Sequence, residues 1–183
     1  MYVIAVIFLL ACWVLWSYPF VRQRRAGGKR ESVVMAPAAR WGIFLEGVSC
    51  GLLWFNAGAF KPGVVRMIAS IVGAAASTAL VWWAMRHLGK QWRIQAGLYP
   101  DHQLVSTGPY RIVRHPIYAS MFAMILATGL LMTPWTRFLA AIAVFIVGNE
   151  IRIRTEDRLL SERFGQEFVE YRQRVAAWIP YVH

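Results

Sequence analysis

Three consecutive residues, Arg114-His115-Pro116, stand directly before an apolar run over residues 117–133. Charge that close to lipid is costly and marks function by default. Proline is favoured at the first position of a helix, where its missing N–H costs nothing. Pro116 therefore starts a helix, His115 caps it and Ile117-Tyr118 fill its first turn. Such a start presents free N–H groups and the positive end of a dipole, and Arg114 adds a full charge. Together they form an anion site, and a carboxylate suits it because arginine grips one bidentately.

A second constellation lies further along. Arg152 and Glu156 are four apart on one helix and share a face, with Glu150, Arg154 and Asp157 close by. Acidic groups there can take ribose hydroxyls or an α-ammonium, while the cationic rim takes a carboxylate. An amino acid joined to a nucleoside needs both. Glu46, a carboxylate inside an apolar run, is a third candidate. Each has a plain alternative. Basic residues gather at inner helix ends in any membrane protein, Arg–Glu pairs are ordinary on solvated helices, and Glu46 lies near the hydrated end of its run.

The elements that position these residues are helical. Of 183 residues, 58% are hydrophobic, against about 45–50% in a soluble domain. The excess falls in blocks. Residues 1–20, 42–60 and 67–85 each approach the roughly 20 residues that cross a bilayer as a helix. Residues 117–133 and 138–148 are shorter and are separated by Pro134-Trp135-Thr136-Arg137, a tight hairpin. The chain is expected to be an all-α polytopic membrane protein of five transmembrane helices, with a cytoplasmic cofactor pocket. Residues 1–20 lack a basic leader and a clear cleavage site, so they are read as a retained helix. The fifth span is too short alone and is expected to continue to residue 160, carrying its charges into the headgroup zone. Pro62-Gly63 divides the second span from the third. Past Gly165, the residues Phe168, Tyr171, Val175 and Trp178 recur at helical spacing, which predicts an amphipathic helix lying on the membrane surface and ended by Ile179-Pro180. Two regions result: residues 1–85, three spans with a basic inner loop, and residues 86–183, a catalytic region of loop, helical hairpin and C-terminal helix.

The formal charge of +11 would suit nucleic acid, but its distribution argues for membrane lipids instead. Seventeen of the twenty Lys and Arg fall on one side of the five spans, and only Lys61, Arg66 and Arg137 fall on the other. The positive-inside rule then places the N-terminus outside and the C-terminus in the cytoplasm. Cys12 and Cys50 lie inside apolar runs, which disfavours a disulfide framework or a zinc site. No dinucleotide fingerprint, Walker A loop or Gly-x-Ser-x-Gly elbow is present. His87, His102, His115 and His183 lack metal-ligand spacing. The long polar segment over residues 87–113 is rich in Gly, Pro and aromatics, and loops of that length are usually functional.

Over roughly residues 86–182 the chain resembles the isoprenylcysteine carboxyl methyltransferase family and the related phospholipid methyltransferases. The resemblance rests on Leu88-Gly89, His102 through Arg111, Arg114-His115-Pro116-Ile117-Tyr118, Glu156-Asp157, Phe164 through Tyr171, and Ile179-Pro180. Ser120 stands where the family pattern has glycine, and Glu156-Asp157 stands for a pair of glutamates. The resemblance implies S-adenosylmethionine held near His102, Leu104, Val105, Gly108, Tyr110, His115, Tyr118 and Glu156. It also implies a lipophilic small-molecule or lipidated acceptor near Arg152, while Arg114, on the reading of the helix start above, is the candidate to hold a carboxylate. Methylation of a phospholipid amine, methylation of a small thiol, and a non-catalytic membrane scaffold remain alternatives. An amine or thiol would need a base, for which Glu156 and Glu46 are the candidates.

Overall fold

The computed structural model describes residues 1–26, 38–55, 60–89, 92 and 103–180. Six α-helices follow one another: α1 (Tyr2–Ala26), α2 (Ala38–Trp54), α3 (Val64–Leu88), α4 (Pro116–Met132), α5 (Trp135–Phe164) and α6 (Gln166–Arg174). A 3-10 turn, Gly108–Arg111, precedes α4. Among the described residues there is no strand, only an isolated parallel bridge between Val113 and Ala176.

Local sequence explains the boundaries. Pro116 occupies the first position of α4 with His115 as its cap, and Pro134 precedes the first turn of α5. Gly63 ends the connection into α3. Gly165 takes a positive φ of 53° between α5 and α6, a conformation that other residues rarely adopt. As expected, α5 runs unbroken past its apolar part.

α1 and α3 are long and apolar enough to cross a membrane, and most of each apolar window is exposed on the bundle (28% and 22% buried). The core helix of a soluble protein would show the reverse. Val3, Ile4, Ile7, Val65, Ile68 and Val72 all face outward. α2 and α4 each have 17 residues, short of a comfortable span, and α5 carries charge through its second half.

α2 packs on α5, and α3 packs on α4 and α1. The α2–α5 contact is the most extensive among the described residues, and its backbones come close. A Cβ added at Gly42 would stand 2.7 Å from the Gly148 carbonyl oxygen, and one at Gly148 would stand 2.9 Å from that of Gly42. Small residues facing each other let helix backbones meet inside lipid. Ser49 adds a hydrogen bond to the Ala141 carbonyl at 2.8 Å. The α1–α4 seam is tied by indole donors: Trp13 to Thr128 at 3.0 Å and Trp16 to Ser120 at 3.2 Å. Ser77 of α3 also donates to the Ser120 carbonyl at 2.6 Å. Ser120 thus points toward α1 and α3 and is absorbed by their hydrogen bonds.

At the end of the bundle opposite His115, Arg66 donates to the carbonyls of Gly129, Leu130 and Thr133 at 2.6–2.9 Å. These are last-turn acceptors of α4, which a cation satisfies both by hydrogen bonding and through the dipole. Arg137 likewise donates to the Phe55 carbonyl. Two of the three basic residues on the minority side therefore have local structural work.

The C-terminal helix departs from expectation. It stops at Arg174, and Phe168, Tyr171 and Val175 are buried against Leu104, Leu160 and Phe164. Its apolar stripe meets protein, not a membrane surface. Trp178 lies beyond the helix and packs on Tyr118 and Ile153.

Gly148→Ala forces a carbonyl oxygen to move and is expected to lower stability by about 1–3 kcal/mol, read as a reduced Tm in detergent. Gly47→Ala meets nothing within 4 Å and is expected to leave Tm unchanged or raise it.

Candidate functional site

The charged residues gather at the end of the bundle where α4 begins. Arg152 of α5 donates to Glu46 of α2 at 2.6 Å, and its guanidinium lies 4.7 Å from the centre of the Tyr118 ring. The Tyr118 hydroxyl donates to Glu156 Oε1. Glu156 Oε2 lies 3.5 Å from His115 Nδ1, and His115 Nε2 lies 2.8 Å from Asp157 Oδ1. Asp157 Oδ2 accepts from Arg114 at 3.0 Å. Arg114 also donates to the carbonyls of Arg172, at 3.2 Å, and Val175. Three carboxylates and three cations alternate along one path, so the buried assembly is close to neutral.

Backbone pairing fixes the frame. The N–H groups of Arg114 and His115 donate to the carbonyls of Ala176 and Ala177, each at 2.8 Å. Tyr171 donates to the Tyr110 carbonyl at 2.6 Å, tying α6 to the 3-10 turn. Gly108, at φ 60°, lets that turn sit on His87, whose ring an added Cβ would approach within 2.4 Å.

The expected site residues divide accordingly. Arg114, His115, Tyr118, Arg152 and Glu156 come together. The anion at the start of α4 is supplied by the protein itself, as Glu156 and Asp157, and Arg114 is buried in that pairing. Arg114 therefore positions the segment and is not exposed to grip a guest carboxylate. Tyr110 is buried beside the chain of charges, and its hydroxyl has no partner among the described residues. Leu104 packs on Phe168, Tyr171 and Val175, Val105 is half-buried, and Gly108 sits against His87. His102 lies outside the described residues. Asp157 and the Glu46–Arg152 partnership were not foreseen, although the acidic dipeptide and the intramembrane carboxylate were visible signals. A cleft of about 320 Å³ opens beside Asp157, lined by Arg154, Asp157, Arg158, Ser161, Glu162 and Arg172.

The side chains of the ionic path differ in access. The Glu156 side chain is 27% exposed, whereas those of His115, Asp157, Arg114, Arg152 and Glu46 are 11% or less. Glu156 is the most open of the carboxylates along the ionic path.

Residues 68–162 match the isoprenylcysteine carboxyl methyltransferase family. This chain belongs to that family. Among its relatives, the protein-S-isoprenylcysteine O-methyltransferase of Saccharomyces cerevisiae is 37% identical over 82 residues, covering 45% of this chain and 34% of that protein. Protein-S-isoprenylcysteine O-methyltransferase B of Arabidopsis thaliana is 35% identical over 83 residues, covering 45% and 42%. The cobalt-zinc-cadmium resistance protein CzcN of Cupriavidus metallidurans is 28% identical over 147 residues, covering 76% and 62%. The chain thus spans between 34% and 62% of the length of these relatives. Family membership and the exposed apolar helices together support a membrane protein.

The charges at the helix start couple to pH. Burial alone would lower the His115 pKa, but the hydrogen bonds its ring donates to Asp157 and Glu156, with the negative charges of those carboxylates, raise it above the ordinary 6.5. Burial would raise Glu156 and Asp157, but His115 holds both below their ordinary 4.5 and 3.8, aided by Arg152 and Tyr118 for Glu156 and by Arg114 for Asp157. A raised histidine stabilises fully below its unfolded pKa, and that contribution disappears as pH rises through the folded value. Depressed carboxylates stabilise above their unfolded pKa and fail as pH falls through the folded ones. Thermal stability in detergent is expected to peak between about pH 4.5 and 6.5 and to decline on both sides. His115→Asn is expected to remove the alkaline decline, as measured by Tm against pH.

Proposed function

We propose that this protein transfers a methyl group from S-adenosylmethionine to a carboxylate on a lipophilic or lipidated acceptor at the cytoplasmic edge of a membrane. The observation that carries this reading is the alternating ionic chain from Glu46 to Arg114, with Glu156 as its one open member. Five spans, an outer N-terminus and a cytoplasmic C-terminus accompany it. The 17-to-3 division of basic residues supports that orientation, and it sets the ionic chain where a soluble cofactor and membrane lipids are both at hand. Residues 1–85 then form three spans, and residues 86–183 form the catalytic region, to which α2 adds Glu46.

The residues fit the cofactor. Glu156 is ionised, and its partial exposure leaves it able to accept from ribose hydroxyls or an ammonium. The Tyr110 hydroxyl is a buried polar group still lacking a partner among the described residues, which an adenosyl ligand can supply. His115 and Tyr118 hold Glu156 in place, while Leu104, Val105 and Gly108 shape the approach. S-adenosylmethionine, when bound, supplies an electrophilic methyl on a sulfonium. Arg152 orients the acceptor oxygen for in-line displacement, where positioning supplies most of the catalysis.

The relatives named protein-S-isoprenylcysteine O-methyltransferase support a carboxylate acceptor, and so does the site chemistry. A carboxylate needs no base. Glu156 is held ionised by His115 and Tyr118, so it is a weak base for an ammonium or thiol. That weighs against amine and thiol acceptors.

Calorimetry on protein purified in detergent is expected to show binding of S-adenosylhomocysteine, with Glu156→Gln weakening it about tenfold or more through loss of a charge-assisted hydrogen bond. Radiolabelled S-adenosylmethionine is expected to label an S-prenyl cysteine derivative in a base-labile ester. Absence of nucleoside binding by the wild type would end this reading.

A further inference from the structure

The cleft of about 320 Å³ beside Asp157 has walls from two helices. α5 contributes Arg154, Asp157, Arg158, Ser161 and Glu162, and α6 contributes Arg172. Three arginines thus face two carboxylates, and both oxygens of Asp157 are already taken, by Arg114 and His115. The Arg154 and Arg158 side chains are each 81% exposed and pair along α5 with Glu150 at 3.3 Å and Glu162 at 2.9 Å. Exposed pairs of that kind contribute little, so a stronger anion displaces them readily. Among the described residues no hydrogen bond or ion pair engages the Arg172 guanidinium; its carbonyl accepts from Arg114. The cleft therefore offers cationic donors from both helices, with the Ser161 hydroxyl between them in sequence. The reaction proposed above makes no use of them.

Position along α5 limits which anion reaches them. The 30 residues of α5 make it about 45 Å long. A bilayer is about 30 Å thick in its hydrocarbon and about 40–45 Å with its headgroups. Taken across the membrane from the exposed Trp135, an aromatic suited to the interface, the helix leaves hydrocarbon near Thr155. Arg154 through Glu162 then lie at headgroup depth. Deeper in the membrane, Ala140, Ala143 and Val147 are exposed. Val147, Arg154 and Arg158 fall on one side of the helix, because the steps between them are close to whole turns. That side runs from small apolar side chains to arginines, as a lipid runs from acyl chain to phosphate. Arginine grips phosphate bidentately, and the cytoplasmic leaflet is rich in anionic lipid. We propose that the cleft docks the phosphate of an anionic phospholipid whose acyl chain lies along this side of α5. The headgroup bridges α5 to α6 across the turn at Gly165, and so braces the segment whose carbonyls hold Arg114. This rests on the five-span reading above in taking α5 across the bilayer.

The test is native mass spectrometry of the full chain in detergent, titrated with phosphatidylglycerol, with phosphatidylcholine of the same acyl chains, and with free glycerol phosphate. The wild type is expected to retain phosphatidylglycerol about tenfold or more over phosphatidylcholine, and to bind glycerol phosphate more weakly than the lipid. The double variant Arg158→Gln, Arg172→Gln is expected to bring the lipid ratio toward one. Both side chains are exposed, so its Tm without added lipid is expected to stay near that of the wild type. The variant Arg22→Gln, Arg24→Gln removes equal charge from exposed positions at the same end of α1 and is expected to keep the ratio. Equal retention of the two lipids by the wild type, a ratio unchanged in the cleft variant, or a ratio lost equally in the α1 variant would overturn the proposal. So would glycerol phosphate bound as tightly as the lipid. Nucleoside binding on the same preparation reads the methyl-transfer proposal separately. Its presence with no lipid preference sinks the headgroup site alone, and its absence beside a preference that the cleft variant loses supports this site while ending the other reading.

Discussion

A charge taken out of water must find its opposite, and here that requirement organises the bundle. Arg114, Asp157, His115 and Glu156 are joined one to the next, Arg152 pairs with Glu46, and Tyr118 lies between the two groups; all six charged groups are buried or nearly so. Desolvating an isolated ion costs several kcal/mol, so none of the six is tolerable alone. The pairs also join segments far apart in the chain: α2 to α5, α5 to the start of α4, and that start to the strand-like residues after α6. Helices held in lipid lack a strong hydrophobic drive toward one another. The ionic path, together with the Gly42–Gly148 contact, gives their ends a definite arrangement.

The same arrangement divides labour between structure and chemistry. Arg114 and Asp157 face inward and hold the C-terminal segment, while Glu156 faces the rim. Adjacent residues on a helix point about 100° apart, so Glu156-Asp157 can serve two environments from one dipeptide. His115 bridges both and sets their ionisation. Its place before Pro116 follows from the helix start, because proline at the first position leaves the preceding residue as cap.

Much of this was legible in the sequence. Proline and glycine marked the starts of α3, α4 and α5, and apolar length marked five helices. The over-long pattern through Glu150 and Leu160 announced that α5 outruns its apolar part. Arg114, His115, Tyr118, Arg152 and Glu156 did assemble. What was hidden was the pairing. Spacing shows that Arg152 and Glu156 share a face, but not that Arg152 turns to Glu46 across a helix interface, nor that Arg114 turns its two terminal nitrogens to Asp157 and two carbonyls. The stripe of Phe168, Tyr171 and Val175 was equally ambiguous, since periodicity reads alike against lipid and against protein. The helix ends at Arg174 because the next residues pair with Val113, Arg114 and His115, a long-range contact that local sequence does not encode. Ser120 read as a departure from the family pattern, yet its side chain turns toward Trp16 and its carbonyl toward Ser77.

The alternation of signs also limits how this site can change over evolution. Removing one member of a buried pair strands its partner, at a cost of about 3–5 kcal/mol, whereas replacing both by well-packed apolar groups is often neutral. His115 touches two carboxylates and Glu156 touches two donors, so the middle of the path has no single partner to change with. The Glu46–Arg152 end does, whereas Asp157 answers His115 as well as Arg114. Drift should therefore enter at the Glu46–Arg152 end, as a compensated pair, and reach the His115 cluster last.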